Sequence, residues 1–265
     1  MKEEQSSLDE TTLSVDLSDA TQAVKESRFE DALNLLKVLL KENPDHTDIL
    51  YLSAVSTRFL KKFDDSRKHI ENLLLNAPDM GRAYQELGHL NRDMGHEEKA
   101  IMHYRQACEL NPALPSSWSY LHKYFEKIQN KPAADHALEQ IKKLQSLPGL
   151  LLFIEQILNE GRLGLAETKC RAFLKENPTH TYAMSLLAEI ANRFGYFDDA
   201  EFLLQKAVEF KPQDGDLRLK YASILRKKQK FAQTSEQLNI LCDQFPENLN
   251  YKAQKASDVM QGGRP

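Results

Sequence analysis

Small residues and prolines recur through this chain at one fixed phase, and few folds can accommodate that pattern. Ala32, Ser66, Ala100, Ala134, Ala166, Ala200 and Thr234 are separated by 34, 34, 34, 32, 34 and 34 residues. A small side chain at such an interval suits points where two helices cross closely. Pro44, Pro78, Pro112, Pro178, Pro212 and Pro246 each follow one of these residues by twelve positions. Proline stops a helix because it lacks an N–H and its ring clashes with the preceding turn, so each marks the end of a second helix. Between the markers the apolar spacing is helical, as in ALNLLKVLLKENP from Ala32 and DAEFLLQKAVEFKP from Asp199, and no segment alternates as a strand would. Gly95, Gly161 and Gly195 fall in the turns between paired helices, where freedom to take positive φ is useful.

The best-formed copy is Gly81–Leu114. Its Tyr84, Leu87, Gly88, Ala100, Tyr104 and Pro112 resemble the tetratricopeptide repeat signature, departing from it at Asn91. That resemblance implies an all-α, right-handed α-solenoid of helix-turn-helix units with no sheet. The phase predicts four units over 17–146, three over 147–248, and over 249–265 the first helix of an eighth unit that breaks off. Residues 1–16, with five acids against one lysine, bury too little apolar surface to offset ordering and are expected to be disordered.

The fourth interval breaks the pattern. It is two residues short, Ser146 stands where proline is expected, and the small residue of the first helix becomes His122 and then Ile154. A bend or repacked joint is expected near Gln145–Leu152. Leu151, Leu152 and Leu158 follow it at groove positions; they are expected to pack inward, the alternative being an exposed patch for a partner helix.

The formal charge of -4 and pI near 6.1 give no general pull toward nucleic acid. The acidic, polar N-terminus is unlike a signal peptide, and LPGLLLFIEQIL is too short to cross a bilayer, so no membrane association is expected. Cys108, Cys170 and Cys242 lack metal or redox spacing and fit a reducing, cytoplasmic setting. His96-Glu97-Glu98-Lys99 opens like a zinc motif, but Ala100 replaces the second histidine; no metal, cofactor or catalytic residue is expected. Trp118 and Tyr84 are expected in the core.

The tetratricopeptide resemblance also implies that first helices line a concave groove that binds a protein or peptide. Its groove positions hold Tyr51, Arg58, Arg82, His89, Arg92, Tyr120 and Lys123, then Tyr182, Glu189, Asn192, Arg193, Lys220, Arg226 and Lys227. The lysine and asparagine clamp of chaperone-tail binders is missing, since Tyr51 and Val55, Gln85 and His89, then Ser119 and Lys123 stand in those positions. Finally, the order of motifs from Leu147 to Asn250 resembles bacterial tetratricopeptide proteins that carry a sulfotransferase domain after their repeats. That likeness implies a recruiting array ahead of a domain using an activated-sulfate nucleotide, with no active-site residue in this chain.

Overall fold

The computed structural model describes residues 17–262; the expected disordered tail, 1–16, lies outside them. Helices run in sequence order: α1 (17–25), α2 (Phe29–Glu42), α3 (Thr47–Phe59), α4 (Phe63–Asn76), α5 (Gly81–Asp93), α6 (Glu97–Leu110), α7 (Pro115–Lys127) and α8 (Lys131–Gln145). Then follow α9 (Gly149–Asn159), α10 (Leu163–Glu176), α11 (Thr181–Phe194), α12 (Phe197–Phe210), α13 (Gly215–Lys227), α14 (Phe231–Gln244) and α15 (Leu249–Gly262). Among the described residues there is no strand. Two compact units divide between Leu147 and Pro148. In each, odd-numbered first helices pack against the even-numbered second helices on either side in sequence.

The seven phased small residues are all buried, none more than 5% exposed, at the crossings they were expected to occupy. Where the first helix also has a small residue the two backbones approach: Ser66 Oγ donates to the Ala54 carbonyl at 3.0 Å. At the short fourth unit, His122 takes the small residue's place and its Nδ1 hydrogen-bonds the Ala134 carbonyl at 3.0 Å. A ring there converts an apolar crossing into a polar one. In α9 the replacement is Ile154, fully buried with Leu151, Ile157 and Leu158 in one core cluster. Leu151 and Leu158 therefore pack inward, while Leu152 is half-buried and Leu150 and Phe153 are exposed.

Every described turn from a first to a second helix uses one left-handed residue. Gly95, Gly161 and Gly195 take φ of 80, 76 and 82°, and Ser27, Lys61, Gln129 and Gln229 take φ of 59, 59, 56 and 58° at the same phase. Each turn closes identically: the next residue's N–H returns to a carbonyl five residues back, as from Lys62 to Thr57 and from His96 to Asn91. A non-glycine residue in that conformation costs about 1–2 kcal/mol. Part of this is offset because glycine loses more entropy on folding. Lys61→Gly, Gln129→Gly and Gln229→Gly, all at exposed positions, should each stabilise the array by about 0.5–1 kcal/mol in urea titrations. Unchanged or lowered midpoints in all three would contradict this account of the turns.

Trp118 is only half-buried. It packs on the edge of the cluster holding Tyr104 and Leu121, and its indole N–H donates to the Pro112 carbonyl at 2.8 Å. Tyr84, too, is half-buried. The polar atom of each large ring keeps it at the rim of a thin repeat rather than at its centre.

Candidate functional site

First helices repeat every 34 residues and stack side by side, so equivalent side chains come within reach of one another across neighbours. In the N-terminal unit Arg82 pairs with Asp48 at 3.4 Å, and its guanidinium lies 4.7 Å from the Tyr51 ring centroid. Ser117 Oγ donates to Gln85 at 3.0 Å, and Arg92 donates to the Tyr120 hydroxyl. In the C-terminal unit Tyr182 donates to Glu155 at 2.6 Å and Lys220 to Ser185 at 2.8 Å. Lys227 donates to Asn192 at 2.7 Å, and Arg193 bonds both Glu189 at 3.0 Å and the Leu158 carbonyl at 2.8 Å. Arg226 reaches Asp258 on α15 at 3.2 Å. The groove positions read from the sequence are thus largely stitched to each other within each unit, as lateral rungs between first helices.

One of them is misplaced as a ligand contact. Arg58 is 6% exposed, its Nε bonded to Glu86 and its Nη1 to Asp93 at 2.8 Å, so its charge is consumed inside the array. Glu86 is itself buried, and desolvation pushes its carboxyl above the usual range despite the opposing pull of Arg58. Arg58 differs from its half-buried equivalents Arg92 and Arg226 in the neighbours that three-dimensional stacking supplies. Sequence spacing alone could not separate them.

His89 is a groove position held neutral. Burial first, and then the charges of Arg58 and Arg92, drive its pKa down to about 3. Its Nδ1 shares a 2.7 Å hydrogen bond with the Tyr104 hydroxyl. Tyr104 stacks on Tyr120 with centroids 4.9 Å apart and planes 7° from parallel. These rings floor a cleft of about 340 Å³ between α5, α6 and α7, rimmed by Arg92, Lys123, Lys127 and Glu97. Lys127 is bound by Glu97 at 2.7 Å, and Arg92 by Asp93. Lys123 is exposed, and among the described residues no carboxylate lies within ion-pairing distance of it; its ammonium lies 5.8 Å from the Tyr120 centroid. A second cleft of about 210 Å³ lies among α10, α11 and α12, walled by Leu187, Ile190, Phe194, Tyr196, Phe202 and Leu203. It was not foreseen, although the aromatic density of RFGYFDDAEF was there to read.

Burial pushes the thiols of Cys108 and Cys170 up to about 12 and about 11, so both are protonated at neutral pH. Among the described residues no group of three or more His, Cys, Asp or Glu side chains is placed to hold a metal ion. No described helix is long and apolar enough to cross a membrane.

Two family models, each described as a tetratricopeptide repeat, match residues 81–114 and 23–90. Tetratricopeptide repeats are thus matched across residues 23–114. Among curated proteins no relative matches. Solved structures with similar folds include one entitled "Structure of Naa15/Naa10 bound to HypK-THB", with 17% identity and TM-score 0.45 over 94% of this chain and 39% of that one. This chain therefore spans well under half of that relative's length. A thermophilic TPR protein of Thermus thermophilus has 17% identity and TM-score 0.36, with 94% and 99% of the two chains covered. A tetratricopeptide repeat protein of Parabacteroides merdae has 13% identity and TM-score 0.42 over 94% and 99%. The repeat assignment rests on the family models and the packing above, not on these likenesses.

Proposed function

We propose, for a chain whose residues 23–114 are tetratricopeptide repeats, that the faces formed by its first helices bind an extended segment of a partner protein. Tetratricopeptide repeats generally serve protein–protein interaction rather than catalysis. The observation that carries the groove reading is the ordered ladder of half-buried polar and aromatic side chains joining neighbouring first helices. Such a surface is rigid before binding, so little side-chain entropy remains to be lost when a peptide is laid across it. Its tyrosines offer contact area and its amides and cations offer hydrogen bonds.

Selection of a displayed random-peptide library on the folded chain tests this. Enriched peptides should lose about tenfold in affinity with at least one of Lys123→Glu, Lys220→Glu and Lys227→Glu, all at exposed groove positions. Met102→Glu, on the exposed face of second helix α6, should change little. Peptides sensitive only to second-helix substitutions would overturn the groove reading.

A second reading rests on the motif order over 147–250 that resembles sulfotransferase-linked arrays: the repeats would recruit a substrate for a catalytic domain elsewhere in a longer protein. A native mass near 30.4 kDa would end it.

A further inference from the structure

We infer that the cleft between α5 and α7 receives an acidic peptide segment in which a carboxylate side chain lies next to an aromatic or aliphatic one. This deepens the groove-binding reading and rests on it, naming the chemistry of the partner.

The electrostatics of the cleft run against those of the whole molecule. The chain carries a formal charge of -4, yet around the opening three cations, Arg92, Lys123 and Lys127, meet two carboxylates, Glu97 in the lining and Asp93 paired with Arg92. Their states differ in a way that selects a ligand. Arg92 is engaged by Asp93 and the Tyr120 hydroxyl, and Lys127 by both oxygens of Glu97. These two are held in place as ion pairs whose charges largely cancel, so the net positive charge at the opening is that of Lys123. Lys123 has no carboxylate within ion-pairing distance among the described residues, so its ammonium is the position where an incoming carboxylate meets least competition. His89, beside the floor, is neutral near pH 7 and adds no charge to the cleft.

The floor and wall add the second requirement. Tyr104 and Tyr120 form a fixed stack, and Tyr124 stands half-buried beside them on α7. Their ring surfaces meet an apolar or aromatic side chain well and a bare ion poorly. A volume of about 340 Å³ lies at the small end of ligand sites and takes a pair of neighbouring side chains, not a folded domain. Nucleic acid is disfavoured because the positive patch is short, one cleft wide, on an acidic chain.

The test is fluorescence anisotropy with the intact chain and a labelled peptide, Gly-Ser-Glu-Asp-Phe-Glu-Asp-Ser-Gly, against versions with every acid replaced by its amide and with Phe replaced by Ser. The acidic peptide should bind at least tenfold more tightly than either control. Affinity should fall steeply between low and physiological salt, because partly exposed charges are screened. Lys123→Glu should weaken it about tenfold, while Lys142→Glu, the same charge change at an exposed site on α8, should leave it within twofold. Trp118 fluorescence and helicity of the Lys123 variant serve as the folding control, and Lys123→Gln, which cannot repel, should give an intermediate loss. Equal binding of the acidic and amide peptides, or equal effects of Lys123→Glu and Lys142→Glu, would overturn the proposal. If library-selected neutral or basic peptides still bind the first helices, the groove reading survives that failure; if no peptide of any charge does, both fall. Binding seen only after deletion of residues 1–16 would assign the cleft to the chain's own acidic tail and overturn a partner in trans.

Discussion

Gly88→Ala should destabilise the third repeat by about 1–3 kcal/mol, against the roughly 1 kcal/mol that alanine would ordinarily add to a helix. A methyl group at Gly88 would lie 2.5 Å from Cε1 and 2.6 Å from Cδ1 of Tyr104. That ring has no room to retreat. It is 1% exposed, stacked against Tyr120, and hydrogen-bonded to His89. Gly88→Leu, several methylenes larger, should prevent α5 and α6 from pairing at all. Urea unfolding followed by Trp118 is the measurement, because the chain's one tryptophan packs on the cluster that contains Tyr104. Two controls separate the clash from a general effect of losing glycine. Gly164 in α10 has nothing within 4 Å of an added Cβ, so Gly164→Ala should be neutral or stabilising. Tyr104→Leu trims the ring, so its combination with Gly88→Ala should cost less than the two changes summed. A neutral or stabilising Gly88→Ala would refute the close crossing.

The second large effect is expected at Arg58. Arg58→Met should cost about 3–5 kcal/mol at pH 7, the usual penalty for leaving a buried charge without its partner. Glu86, 2% exposed, would lose its main counter-charge. Removing both, in Arg58→Met/Glu86→Leu, should recover much of the loss, since a buried ion pair contributes little net stability over a well-packed apolar pair. The pH dependence has a definite sign. Burial already raises the Glu86 pKa above its unfolded value, and removing Arg58 raises it further. A raised carboxyl contributes stability that is present below the unfolded pKa and is lost as pH rises through the folded one. The gap between wild type and Arg58→Met should therefore be smaller near pH 4.5 than at pH 7. A gap that is constant with pH, or below 1 kcal/mol at pH 7, would show that Glu86 finds another partner or water.

Both effects stand on residues of the best-formed repeats, and the two differ in how visible they were. Gly88 was marked by its place in the signature, and Tyr104 by its place sixteen residues on. Arg58 looked like an ordinary groove residue, with Arg92 and Arg226 as equivalents. Whether an arginine at that position is exposed or buried depends on what the neighbouring first helix places opposite it. Here Glu86 and Asp93 enclose Arg58, whereas Arg226 faces Asp258 and keeps 23% of its side chain exposed.

What the amino-acid sequence determined by itself was the local geometry. The small residues set where helices cross, the prolines set where second helices stop, and the 34-residue period set which positions share a face. All of these depend on contacts within one unit or between adjacent ones. The turns were half legible: three glycines announced positive φ, while Ser27, Lys61, Gln129 and Gln229 adopt it because the closing hydrogen bonds demand it. Tertiary structure alone decided the fate of the charges. Ionisation, pairing and exposure depend on the dielectric and on partners about 30 residues away, so it took the stacked helices to bury Arg58, neutralise His89 and leave Lys123 open at the edge of a tyrosine-lined cleft.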